Sequence, residues 1–121
     1  MTVWVWLGVA AVGGASAIIR FLLDGGIAQR VGREFPFGTL AVNLTGAFAL
    51  GLVSGLALHG RALILAGTAA LGSYTTFSTW MFETHRLGEE GHLEAVVANA
   101  VGSLAAGVLA AAAGRAIGLH L

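Results

Sequence analysis

Charge disappears from this chain in long, regular intervals. Residues 1–19, 35–58, 62–82 and 95–114 contain no Asp, Glu, Lys or Arg, and the ionic residues gather between them. A helix needs roughly 20 apolar residues to cross a hydrocarbon core of about 30 Å. The pattern predicts four transmembrane helices over about residues 2–23, 35–58, 62–85 and 93–115, with residues 1–121 forming a single domain. The segments GGIAQRVGRE, HGR and RLGEEGH read as the connections. Pro36 suits the start of the second helix, where its missing N–H costs nothing.

Composition sharpens the membrane reading. Charged residues make up 10% of the chain, against about 25% in a soluble domain. There is no cysteine, which excludes disulfides and thiolate metal sites. The formal net charge of zero offers no basic patch for nucleic acid. The uncharged start MTVWVW, with Trp4 and Trp6, reads as an interfacial anchor rather than a cleaved leader. Arg61 and Arg115 fall on one side of the membrane, and Arg20, Arg30, Arg33 and Arg86 on or near the other, with no lysine anywhere. So weak a bias leaves both orientations of insertion open, and with them an antiparallel pairing of two copies. Four such helices leave no room for a large internal cavity, which also points to an oligomer.

Glycines run through the spans. Gly51 and Gly55, and likewise Ala98 and Gly102, have the small-xxx-small spacing that lets helices approach closely in lipid. Polar residues recur at helical spacing too: Thr39 with Asn43, and Asn99 with Ser103. Bonds between helices would account for an isolated polar residue of this kind. Helix three adds GSYTTFSTW, six hydroxyls in nine residues from Gly72 to Trp80. Gly72 invites a break there, with Ser73, Thr75 and Thr76 able to satisfy the released backbone. Freed carbonyls at such a break can coordinate a cation.

Phe77 and Trp80 stand three apart, on neighbouring positions of one face. Ordinary packing explains such a pair. Turned edge-on, however, their positive ring edges would accompany a small anion, with hydroxyl and amide donors beside them. Arg20 would raise anion concentration at an entrance. No mid-span carboxylate is present, which argues against the alternative of a small multidrug exporter coupled to protons. His59, His85, His92 and His120 fall at or beyond span ends, so an enzyme is not expected. Glu83 with His85, and His92 with Glu94, read as exposed loop residues rather than metal ligands.

The second helix, Pro36-Phe-Gly-Thr-Leu-Ala-Val-Asn-Leu-Thr-Gly-Ala-Phe48, and Thr75-Thr-Phe-Ser-Thr79 with Glu83 after it, resemble the signatures of the Fluc (CrcB) fluoride-specific ion channels. Gly13-Gly14 with Arg20, and Asn99, Gly102-Ser103 and Gly107, are similar to the family's first and fourth helices. The resemblance implies an all-α membrane protein with a break in the third helix, assembled as an antiparallel dual-topology homodimer. Its function would be passive fluoride export from the cytoplasm, protecting a prokaryotic cell from within its plasma membrane (the inner membrane if Gram-negative). Pore roles carry over to Asn43, Phe77 and Trp80, supplemented by Ser78, Ser103 and Thr39, with Arg20 in the vestibule. A structural sodium ion between subunits would be held by the carbonyls of Gly72 and Thr75. This chain departs from the pattern with Ser73 where the family usually has Gly, and Trp80 where it usually has Phe. Some members pair two related chains, so a heterodimer is an alternative to the homodimer.

Overall fold

The computed structural model describes residues 1–121, and every regular element in it is a helix. In chain order they are α1 (Val3–Val31), α2 (Phe37–Gly55), α3 (residues 60–74), α4 (Ser78–Glu89) and α5 (Leu93–Leu119). Helices α1, α2 and α5 are each long and apolar enough to cross a membrane. Helices α3 and α4 follow one another in place of the expected third span, interrupted at residues 75–77. Large apolar side chains such as Trp4, Phe21, Phe82 and Leu109 stand exposed. That surface suits lipid, where apolar exposure is favourable and each backbone polar group must find a partner inside the fold. The chain is a multi-pass, all-helical membrane protein.

Helix ends depart from the sequence expectation in instructive ways. The first helix does not stop near residue 23 but continues to Val31, carrying Gly25 and Gly26 in its interior. A helical glycine costs about 1 kcal/mol relative to alanine, and an unpaired backbone group in an apolar medium costs several. Continuing the ladder is therefore favoured until Gly32, whose φ of 87° ends it while its N–H donates to the Ala28 carbonyl. Pro36 sits one residue before α2 rather than inside its first turn. That helix ends at Gly55, and a tight turn follows in which Ala57 and Gly60 both have positive φ. The last helix runs on to Leu119.

Gly72, expected to mark the break, is helical, with φ −62° and ψ −36°. The chain turns instead at Thr75, which is extended at φ −79° and ψ 158°. Hydroxyls, not a glycine, make the interruption possible. The Thr75 hydroxyl and N–H both donate to the Leu71 carbonyl, each at 3.0 Å, closing α3. The Thr76 hydroxyl accepts the Thr79 N–H at 3.2 Å, an N-cap for α4.

The tightest packing in the chain joins α2 to α5, which run parallel. Gly51, Gly55, Gly114 and Gly118 are all buried. A methyl group on Gly51 would strike the Ala111 carbonyl, and one on Gly114 the Phe48 carbonyl. Methyls on Gly55 and Gly118 would meet the main chain at Arg115 and at Leu52. The expected pairing role of Gly51 and Gly55 thus holds, but their counterpart is Gly114 and Gly118. Ala98 and Gly102 face outward, with nothing within 4 Å of a methyl built on Gly102. Gly38 lies against the main chain of Asp24 in α1, and Gly46 lies against Tyr74 and Thr75. The first contact sets the start of α2 against α1, and the second brings the middle of α2 onto the break.

Gly114→Ala should push α2 and α5 apart and destabilise the folded protein by about 1–3 kcal/mol, the usual cost of overpacking. Gly26→Ala, where a new methyl meets nothing within 4 Å, should leave stability equal or raised. Thermal unfolding of the detergent-purified variants separates the two; equal melting temperatures would contradict the close crossing.

Candidate functional site

Asn43 is the residue around which the polar groups of the membrane interior organise. It lies on α2, one turn after Thr39 and three residues before Gly46, so its side chain reaches the interruption between α3 and α4. Its Nδ2 donates to the Thr76 carbonyl at 2.8 Å, and its Oδ1 accepts the Thr76 N–H at 2.8 Å. A planar amide carries a donor and an acceptor as a peptide unit does, so one side chain closes both main-chain groups of the middle one of the three residues outside either helix. The second hydrogen on Nδ2 has no partner within the chain.

Asn43 lines an open cleft of about 390 Å³. Phe77, Trp80, Thr75 and Ser103 line the same cleft, with Gly107 and Ala111 of α5 along its floor. Phe77 is 69% exposed. Its ring meets the Trp80 indole edge to face, with centroids 5.7 Å apart and planes at 88°. Thr39 and Arg20 lie elsewhere, in a smaller cleft with Asp24 and Thr79; Thr76 borders both spaces. Thr39 is buried at 3% exposure. Ser78 lines neither cleft; it is exposed, with its Oγ 3.4 Å from the Thr76 hydroxyl. Of the residues singled out in the sequence, Asn43, Phe77, Trp80, Ser103 and Thr75 come together, while Thr39 and Arg20 form a second group.

Two donors of cleft-lining residues are engaged within the fold. The indole N–H of Trp80 donates to the Asn99 carbonyl at 2.8 Å, so it is not free to serve an ion in the cleft. The Ser103 hydroxyl donates to Asn99 Oδ1 at 3.3 Å. Asn99 itself is 1% exposed and sits in a π-helical stretch of α5, Ala98–Gly102. Its Nδ2 donates to the Thr84 hydroxyl oxygen at 2.8 Å, and that hydroxyl donates to the Trp80 carbonyl at 2.8 Å. Thr84 escaped the sequence reading. Its spacing, four residues after Trp80 on the same face, was the available signal.

Carbonyls released at the interruption form a separate feature. The ordinary partner of the Gly72 carbonyl, the Thr76 N–H, goes to Asn43, and that of the Thr75 carbonyl, the Thr79 N–H, goes to the Thr76 hydroxyl. Both carbonyls are left available, a donor set of hard oxygens suited to an alkali or alkaline-earth cation. At the far end of α4, Arg86 bonds Glu83 at 2.7 Å, Glu90 at 3.1 Å and the Arg33 carbonyl at 2.9 Å. It ties the end of α4 to the connection before α2. The hydrogen bond it donates to Glu83 raises its pKa above the ordinary arginine value, so the guanidinium stays charged.

Residues 7–115 match the family described as CrcB-like protein, Camphor Resistance (CrcB). The chain is 56% identical to the fluoride-specific ion channel FluC 2 of Mycolicibacterium paratuberculosis, over 94% of this chain and 93% of that one. It is 48% identical to FluC 1 of Rubrobacter xylanophilus, over 89% and 88% of the two chains. An archaeal relative, FluC 2 of Haloarcula marismortui, is 45% identical over 80% of this chain and 79% of its own. With the broken helix, the Asn43 bridge and the aromatic pair already in place, this similarity over nearly the full length leads to one conclusion: the chain belongs to the CrcB family.

Proposed function

We propose that this protein is a fluoride channel, passing the anion down its gradient out of the cytoplasm. The observation that carries the reading is the cleft lined together by Phe77, Trp80 and Asn43, whose amide has an unused hydrogen. Fluoride is small and holds its water tightly, so a path for it must replace hydration with donors. An amide N–H supplies one strong donor, and ring edges supply weaker positive ones without binding so tightly that the ion stays. The relatives bear the name of fluoride-specific channels, which supports the ion's identity. Family membership also sets aside the proton-coupled multidrug exporter that the sequence had left as the alternative. The activity is transport, and no residue is assigned a catalytic role.

The working unit in this reading is an antiparallel homodimer in the plasma membrane of a prokaryote. The cleft is open along one side, and a second copy would wall it into a track. The weak arginine asymmetry supports insertion in both orientations. Two copies would give two tracks. Arg20 would draw anions toward the smaller cleft, with Thr39 and Thr79 beside it, and Ser78 would serve near the mouth of the larger one. A sodium ion held by the Gly72 and Thr75 carbonyls fits the oxygen donors left free at the interruption. Bound there, it would neutralise those dipoles and brace the two copies against each other. A heterodimer with a related chain is not needed, because one chain carries every group invoked.

Liposomes containing the purified protein should release fluoride, and not chloride, once a potassium ionophore dissipates the potential. Equal release of both ions would refute the selectivity. Phe77→Ile keeps bulk but loses the ring edge, and Asn43→Asp loses the Nδ2 donor and adds a repelling charge. Each should lower fluoride flux by at least 10-fold, the effect of about 1.4 kcal/mol on a barrier. Normal flux from a monodisperse Phe77→Ile variant would remove that ring from the path. Replacing all sodium by N-methyl-D-glucamine should reduce flux or dissociate the dimer; indifference to the exchange would argue against the cation site.

A further inference from the structure

The indole of Trp80 is held from two directions by one residue of the neighbouring helix. Its N–H donates to the main-chain carbonyl of Asn99 at 2.8 Å. Carbonyls in the middle of a helix ordinarily accept only from their own ladder, but α5 is widened to a π-helix over Ala98–Gly102. Such insertions loosen the ladder and turn a carbonyl outward. On its other side Asn99 uses Nδ2 to reach the Thr84 hydroxyl, which in turn bonds the Trp80 carbonyl, and Nδ2 itself approaches that carbonyl at 3.4 Å. The ring and the main chain of Trp80 are therefore both referenced to Asn99.

An untethered indole has several rotamers. Only an orientation that keeps the ring perpendicular to Phe77 retains the observed 88° contact and presents C–H groups to the cleft. A tether at the N–H corner selects it.

We propose that Asn99 is a positioning residue for conduction, orienting the Trp80 edge through its carbonyl and its side-chain bond to Thr84. The proposal rests on the channel reading and adds to it a residue outside the cleft lining. Asn99 touches no ion; it acts through Trp80. A merely structural Asn99 would matter equally whichever ring stood at position 80. A positioning Asn99 matters only while that ring has an N–H to hold.

The test is a double-mutant cycle on fluoride efflux from liposomes, using Asn99→Ala, Trp80→Phe and the double variant, with Thr84→Val as a second probe in case Asn99→Ala fails to fold. Trp80→Phe keeps a ring edge and sets its own baseline. Asn99→Ala keeps the carbonyl that accepts the indole N–H and removes the Nδ2 brace, through Thr84, that holds that carbonyl in register with Trp80. Losing the brace should cost roughly 5- to 10-fold in flux when Trp80 is present, the worth of about one hydrogen bond, and much less in the Trp80→Phe background, where the carbonyl has no N–H to hold. Equal losses in both backgrounds would overturn the proposal. A second readout is independent of transport: the indole signals of ¹⁵N-tryptophan protein, where the Trp80 resonance is the one deleted by Trp80→Phe. Its N–H should exchange slowly with solvent in the parent and faster in Asn99→Ala or Thr84→Val; unchanged exchange would also overturn it. Absence of fluoride flux from the parent would instead refute the channel reading, whatever the indole exchange shows.

Discussion

Everything in this fold depends on how a peptide chain interrupts a helix where there is no water. At residues 75–77 the ladder stops, and the groups released would each cost several kcal/mol if left bare in hydrocarbon. Side chains supply the missing partners. Thr75 returns to Leu71, Thr76 caps α4, and Asn43 crosses from another helix to close the N–H and C=O of Thr76. The polar richness of GSYTTFSTW, set between apolar flanks, has its physical reason here. The same solution leaves groups at the interruption without a partner, among them one amide hydrogen on Asn43 and the Gly72 and Thr75 carbonyls. The proposed anion and cation sites draw on what that closure leaves over.

Close helix packing delivers those groups to the same place. Lipid gives helices little hydrophobic reason to associate, so small residues and direct backbone contact hold them. Glycines at 51, 55, 114 and 118 lock α2 to α5, and α5 brings Ser103 and the Asn99 network alongside α4. Gly46 lets the break approach α2 closely enough for Asn43 to reach it. A bulkier residue at position 46 would meet Thr75 and Tyr74, removing the bridge by distance alone.

Much of this was legible before any coordinates, and the rest was hidden for identifiable reasons. Charge-free intervals located the spans, because hydrocarbon excludes ionic side chains. Their ends were less readable: Gly25 and Gly26 look like a loop, yet stay helical because the ladder is worth more than the glycine penalty. Gly72 looks like the point of interruption yet stays helical, and threonine hydroxyls at 75 and 76 hold the break. Asn43, Phe77, Trp80 and Ser103 line one cleft, a grouping that the family resemblance implied and residue spacing alone does not. The indole N–H of Trp80 belongs to Asn99. No spacing rule announces a bond from a side chain to a main-chain carbonyl one helix away. Gly114 and Gly118 went unnoticed because Ala98 and Gly102 offered the same spacing on a face that packs against nothing in this chain.

The Asn43 bridge has one more implication, for movement. Two parallel bonds from a flat group resist twisting about the line between them, so α3 and α4 have no free pivot at Thr76. Swinging either segment would break both bonds together, with no solvent at hand to substitute. A joint of this kind behaves as a weld rather than a hinge. Any opening and shutting along the way would have to happen somewhere other than Thr76.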